Sequence, residues 1–259
     1  MAPFSLQGKS AVITGGSKGI GRSLSELFAR QGATVHILDL DKASGDTVAG
    51  GILESGGNAH FHIADVSDQK TILSVFDDIY SIDNRLNILV NNAGIAHIGN
   101  LENTTEEDFD RIYAVNVKGV YNCSLAAIRH MKKGGGVILN MASVVSHTGV
   151  ADRFAYTMSK GAVLTMTYSI AKDYIDQNIR CNSISPARVH TPFVDGYLKN
   201  HYPGKEKEKF KELSKTQPIG RMGQPDEIAS LALFLCSDEA GFITGTDYPI
   251  DGGFITLNT

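Results

Sequence analysis

The chain has 259 residues, 42% of them apolar, which is enough to bury the core of one large globular domain. Its formal net charge of −4 argues against a general nucleic-acid binder. No stretch of about eighteen apolar residues occurs, so no membrane-spanning helix is expected, and the opening MAPFSLQGKS lacks the basic-then-apolar pattern of a secretory leader.

The first apolar run, Ser10 to Thr14, reads as a strand and ends in a glycine-rich turn, Gly15-Gly16-Ser17-Lys18-Gly19-Ile20-Gly21. Ile20, Leu24, Leu27 and Phe28 follow at helical spacing, and Gln31-Gly32 closes that helix. Such a turn between strand and helix lets a pyrophosphate approach the backbone and rest on the helix N-terminus, where free N–H groups and the dipole favour anions. The spacing is G-x-x-x-G-x-G. A second strand, Thr34 to Leu38, leads to Asp39. An acidic residue about twenty positions after the glycines is expected to bond a ribose 2′-OH and to repel a 2′-phosphate, which favours NAD over NADP. Lys18 is the counter-signal, because a cation in the turn attracts that phosphate. The alternative for Asp39 is a helix cap.

A third strand spans Asn58 to Ile63, and a helix carrying Ile72, Val75, Phe76 and Ile79 follows. His60 and His62 alternate on this strand and read as structural, since no metal-ligand spacing accompanies them. Leu86 to Val90 is a fourth strand and runs into Asn91-Asn92-Ala93-Gly94. Thr104 with Glu107 suggests a capping box that opens a long helical stretch through Asn116 to about Met131. Val137 to Met141 is a fifth strand, with Ser143 just beyond it. The helix from about Ala155 places Tyr156 and Lys160 four residues apart on one face. An ammonium there stabilises phenolate and lowers the tyrosine pKa, so the phenol can exchange a proton with an alcohol or carbonyl. Ile179 to Ile184, Asp226 to Leu235 and Tyr248 to Ile250 read as a sixth strand, a last amphipathic helix and a final strand. Residues 190–220 are charged and poor in aliphatic side chains, and read as a helical excursion over the site. Cys123, Cys181 and Cys236 are distant and odd in number, and fit core positions of a reduced, cytoplasmic protein. The short, non-alternating apolar strands between helices predict a doubly wound α/β fold with a parallel sheet buried on both faces.

Taken together, T-G-x-x-x-G-I-G at Thr14–Gly21, Asp65-Val66, Asn91-Asn92-Ala93-Gly94, Asn116, Ser143 and Y-x-x-x-K at Tyr156–Lys160 resemble the short-chain dehydrogenase/reductase family, along essentially the whole chain. The resemblance implies one NAD-binding Rossmann domain over residues 1–259, with seven parallel strands and a substrate lid at about 190–220. It implies NAD as cofactor, Tyr156 as general acid/base and Lys160 as the residue that tunes it and binds the nicotinamide ribose. Ser143 would hold the reacting oxygen, and Asn116 would anchor a water in a proton relay through Lys160. Gly15, Ser17, Lys18, Gly19, Ile20 and Gly21 would bind pyrophosphate, and Asp39 the ribose. Asp65 and Val66 would bind the adenine and Asn92 the adenosine side, while Val189 and Thr191 would touch the nicotinamide carboxamide and phosphate. It further implies a homotetramer paired through the helices near 105–130 and 155–175, acting on a small-molecule substrate, with no nucleic-acid or membrane partner and no metal. A non-catalytic dinucleotide sensor on this fold is the alternative of another class.

One departure stands out. The family usually carries Pro-Gly after the sixth strand, where this chain has Pro186-Ala187-Arg188. Arg188 and Arg153 therefore bracket the reaction centre, with His147 and His190 nearby. Arginine matches carboxylate geometry with two parallel donors. A small hydroxy or keto acid is the expected substrate, either a sugar acid or a 3-hydroxy acid. A 3-oxoacyl-carrier-protein reductase and a neutral sugar or polyol dehydrogenase are the alternatives, and so is pairing of both arginines with carboxylates of the protein.

Overall fold

Five consecutive buried residues form β1 (Ser10–Thr14), and burial on both faces explains why its sequence does not alternate. In the computed structural model, which describes residues 3–257, Ala11 and Ile13 face one layer of helices while Val12 faces the other. The first layer is α1 (Gly19–Arg30), α2 (Lys42–Glu54) and α9 (Pro225–Cys236). The second is built from α3 (Gln69–Asp83), α5 (Gly119–Met131) and α6 (Phe154–Asp173). Cys123 and Cys181 lie in the core beside the second layer and Cys236 in the core beside the first, all three as buried free thiols.

The other strands are β2 (Thr34–Asp39), β3 (Asn58–Ile63), β4 (Ile88–Asn91), β5 (Gly136–Met141), β6 (Ile179–Pro186) and β7 (Asp247–Ile250). They form one parallel sheet in the order β3-β2-β1-β4-β5-β6-β7. The doubly wound α/β architecture with seven parallel strands is thus the one the sequence predicts. Strand order reverses between β1 and β4, and in such sheets ligands bind outside the carboxyl ends of the strands at that reversal.

The helix after Asn103 starts one residue later than the sequence pattern suggests. Thr105, not Thr104, caps α4 (Glu106–Ile112) by accepting from Asp108 N at 3.1 Å. Thr104 Oγ1 instead donates to Asn100 O at 2.6 Å. Between α4 and α5 the chain widens into a π-helical turn, Tyr113–Lys118, which carries Asn116. The 190–220 stretch contains α7 (Pro192–His201) and α8 (Glu206–Ser214).

The histidines of β3 join His36 of β2. His36 Nδ1 lies 3.0 Å from His62 Nε2, and its Nε2 lies 2.9 Å from Asp83. His60 stacks on His36 at 5.0 Å between ring centroids. Burial holds His36 below the ordinary histidine range, and burial followed by the neighbouring histidines pushes His62 down to about 4. The unfolded chain therefore takes up protons near pH 6.5 that the folded chain refuses, and the stability present above that pH is lost as pH falls towards 4. Between pH 7.5 and pH 5, His62 should account for a loss of about 1 kcal/mol after allowance for its partial exposure. Urea unfolding of wild type and His62→Gln at both values checks this; an equal loss in the two proteins would rule His62 out as its source.

Candidate active site

The turn after β1 closes because Gly21 has no side chain: a Cβ there would lie 1.9 Å from Gly15 O. Gly15 itself adopts φ 62°, a left-handed conformation that glycine takes without strain. The turn ends at Lys18, which precedes α1 without any side-chain cap, so the first-turn N–H groups of α1 are left for another acceptor. Asn92 Nδ2 donates to Thr14 O and Gly15 O, both at 3.0 Å, and Thr14 Oγ1 accepts from Asn92 N and Ala93 N. The amide of Asn92, expected on the adenosine side, is thus turned into the glycine turn and holds it against the end of β4. At the end of β2, Ser17 donates to Asp39 from both its backbone N–H (3.2 Å) and its hydroxyl. Asp65 accepts from Ser67 N and Oγ, and Val66 is buried, its carbonyl accepting from Asn122 at 2.8 Å. Thr191 begins α7 with its methyl 3.2 Å from the Cβ position of Gly19. An uncapped helix start, a turn closed by bare glycines and a carboxylate at the end of β2 fit a dinucleotide.

Beyond the turn lies a cavity of about 370 Å³. Ser143, Tyr156 and Lys160 line it together, and Val189 and Thr191 line it as well. Ser143 lies two residues beyond β5, its hydroxyl donating to Pro186 O at 3.5 Å and accepting from Val145 N at 3.4 Å, on the same cavity as the phenol of Tyr156 on α6. Lys160, one turn along, is buried and donates to Met141 O at 2.6 Å. Burial pushes its ammonium down to about 8. Burial also raises the Tyr156 phenol, outweighing the Ser143 hydrogen bond and the charge of Arg153, both of which lower it. The lowering that the sequence assigns to Lys160 is therefore not realised here. Desolvation dominates, and the opposing charge is that of Arg153.

Asn116 is brought to the same place by the π-helical turn. Its side chain accepts from Ile95 N at 2.8 Å and donates to Ile95 O (2.9 Å) and Ser159 Oγ (3.0 Å). A Cβ on Gly94 would stand 3.3 Å from Asn116 Oδ1 and 3.6 Å from Lys160 Nζ. The missing side chain leaves a narrow gap between amide and ammonium.

Both arginines reach the cavity from short parallel bridges. Arg153 pairs with Gly99, and its guanidinium donates to Asp152 O at 2.8 Å. Arg188 is fixed where Val189 pairs with Gly223, and its Nε donates to Thr216 Oγ1 at 3.2 Å. Burial and then the charge of Arg153 lower the Arg188 pKa. Among the described residues neither arginine has a carboxylate partner: Asp195 is held by His190 at 2.9 Å, and the Asp152 group that meets Arg153 is its carbonyl. His147 is likewise engaged, with Asp247 at 2.7 Å, so neither histidine adds a free donor to the cavity.

Two polar lining residues were not singled out in the sequence. Tyr197 of α7 lies close enough to both arginines to feel their charges. Gln217 is buried behind α8 with its Oε1 unpartnered. Both sit in the charged 190–220 stretch, whose composition signals helix and surface but not which residues turn inward.

A family model described as enoyl-(acyl carrier protein) reductase matches residues 15–255. An uncharacterized oxidoreductase of Thermotoga maritima is 41% identical over 252 residues, covering 96% of this chain and 98% of that protein. The 3-oxoacyl-[acyl-carrier-protein] reductase of the same organism is 36% identical, covering 96% of this chain and 99% of that protein. The ligand-free structure of the aldohexose dehydrogenase of Thermoplasma acidophilum superposes with a TM-score of 0.89 at 33% identity, covering 98% of each chain.

Because Asn92 bridges two carbonyls of the turn, Asn92→Ala should cost about 1–3 kcal/mol of stability. Urea unfolding reads this directly, and an unchanged midpoint would show that the amide does not hold the turn.

Proposed function

The chain belongs to the short-chain dehydrogenase/reductase family of oxidoreductases, and on that footing we propose that it interconverts a secondary alcohol and a ketone on a small, polar, carboxylate-bearing substrate with NAD. The substrate class is a sugar acid or a 3-hydroxy acid. The observation that carries this reading is the pair Arg153 and Arg188: two guanidiniums on one cavity with Ser143 and Tyr156, and no carboxylate partner among the described residues. A partly desolvated guanidinium without a carboxylate partner gains when an anion meets it, and a planar carboxylate suits the guanidinium fork.

The roles follow from placement. Ser143 holds the reacting oxygen by its hydroxyl, and Tyr156 takes the alcohol proton in oxidation or returns it in reduction. Bound nicotinamide dinucleotide supplies the hydride acceptor. Lys160, already near its deprotonation range, exchanges protons with a water anchored beside Asn116 in the gap at Gly94. Asp39, Asp65 and Val66 bind the ribose and adenine side, and the Gly15–Gly21 turn the pyrophosphate. Helices α7 and α8 cover the cavity as a lid, contributing Phe193, Tyr197 and Leu213 to its wall. The exposed aromatic side chains Tyr113, Tyr121, Phe154 and Tyr168, on the helices expected to pair, support a homotetramer. Three buried free thiols suit a reducing cytoplasm.

A neutral sugar is the second reading, favoured by the likeness to the aldohexose dehydrogenase structure. The relative that reduces 3-oxoacyl-carrier-protein keeps that activity as a third.

Tyr156→Phe should remove turnover and leave NAD affinity nearly unchanged, since only a hydroxyl is lost. A variant keeping most of the wild-type kcat would sink the assignment. Arg153→Ala and Arg188→Ala should each reduce kcat/KM for an acid about ten- to a hundredfold, the worth of a charge-assisted bond, with little change for a neutral analogue of equal size. NAD reduction across a panel of sugar acids, 3-hydroxy acids and free sugars supplies both measurements. Equal losses on acids and neutral analogues would replace the acid by a neutral sugar.

A further inference from the structure

The Gly15–Gly21 sequence offers a single cation to whatever lies in the turn, Lys18. Its ammonium is engaged: Lys18 Nζ lies 2.5 Å from Asp41 Oδ2. Asp41 is in turn fixed by its own bonds. It caps α2 by accepting from Ser44 N and Ser44 Oγ, both at 3.0 Å, and its backbone N–H donates to Asp39 Oδ1 at 3.2 Å. The Lys18 hydrogen bond, followed by those of Ser44, holds the Asp41 carboxyl down to about 2, so it stays ionised at any working pH. The neighbouring cations are engaged as well: Arg22 with Glu26 at 2.7 Å and Lys42 with Asp46 at 2.5 Å. The turn is thus tied to the end of β2 at two successive residues, Ser17 to Asp39 and Lys18 to Asp41.

This arrangement bears on the phosphate that distinguishes the two nicotinamide dinucleotides. We propose that Asp41 is a cofactor-specificity residue, which clamps Lys18 and so withholds it from a ribose 2′-phosphate. The inference rests on the NAD reading above. A 2′-phosphate would face two carboxylates, Asp39 and Asp41, and could recruit Lys18 only by breaking its ion pair. A 2′-hydroxyl needs no cation and meets an acceptor in Asp39. Asp39 therefore selects the hydroxyl, and Asp41 removes the residue that would otherwise serve the phosphate. Exposed ion pairs are individually weak. The clamp acts as a discriminator because its partner, Asp41, is held in place by the helix it caps and remains as a second repulsive charge once Lys18 leaves.

The test is the binding of NAD and NADP, by calorimetry and without substrate, to wild type, Asp41→Asn, Lys18→Ala and the double variant. Asparagine keeps the cap on α2 while removing the charge, and a thermal melt confirms the fold. Asp41→Asn should bind NADP about tenfold more tightly than wild type, with NAD changed less than threefold. Read as the ratio of NADP to NAD affinity, which cancels any loss of a shared pyrophosphate contact, Lys18→Ala alone should bring no gain for NADP, and in the double variant it should remove most of the gain. An Asp41→Asn protein with unchanged NADP affinity overturns the inference. So does a gain that survives in full in the double variant, or a Lys18→Ala protein whose NADP affinity rises relative to NAD. Wild type binding NADP as tightly as NAD would instead overturn the NAD reading, and that comparison is separate from the ratios among variants.

Discussion

Parallel pairing is the constraint from which the site follows. A parallel strand cannot turn back on itself through a hairpin, so each strand of this sheet is left at the same rim and regained only after a crossover. The glycine turn, Asp39, Asp65, Asn92, Ser143 and Arg188 all lie at or just beyond the carboxyl ends of strands and hence on one edge of the molecule. Residues as far apart in sequence as Thr14 and Asn92 then meet at hydrogen-bond distance because β1 pairs directly with β4. Register sets the finer placement. Asn91 stands opposite Asn140, which delivers Asn92 and Ser143 to neighbouring positions above the sheet.

Behind that rim a band of the interior is polar. Asn91 donates to Ser124 (3.0 Å) and to Asn140 (2.8 Å), and Asn140 donates to Thr167 at 2.9 Å, all of them buried. These bonds tie β4, β5, α5 and α6 together directly beneath Ser143 and Lys160. Paired polar groups in a low-dielectric interior allow few alternative packings, so the band fixes the angle at which α6 presents Tyr156. A core of aliphatic side chains alone would hold the helix without specifying its rotation so narrowly.

The sequence made legible whatever depends on period and on order. Apolar runs bounded by turns located all seven strands to within about two residues, and the i, i+4 spacing put Tyr156 and Lys160 on one wall. The order of the motifs located the rim. What depends on competition between forces was not legible. Whether the charge of Lys160 or the burial of Tyr156 governs the phenol is decided by depth, and depth is a tertiary property. The bonding of Asn92 into the glycine turn needs the β1–β4 pairing, which no local pattern announces. Tyr197 and Gln217 were hidden because their segment is polar by composition, while their inward direction is set by packing against the rest of the chain. The cap shift from Thr104 to Thr105 is a plainer miss: two adjacent threonines offer equivalent caps, and the bond from Thr104 to Asn100 settles which is used.

The widened turn at Tyr113–Lys118 constrains how this protein can change over evolutionary time. A π-helical turn contains one residue more than the α-helical turn it replaces, so it is in effect an accommodated insertion. Loss of one residue inside this turn would let the stretch close into a continuous α-helix. The flanking helices would keep their faces, because the turn had absorbed the extra residue, while the residues within it would be re-aimed by up to about 100°. Asn116 would leave its seat on Ile95, and the apolar face of α5 that carries Cys123, Ala126 and Ala127 would stay on the sheet. Such a deletion would therefore spare the fold and strike the site, whereas exposed loops elsewhere can lengthen or shorten without reaching it.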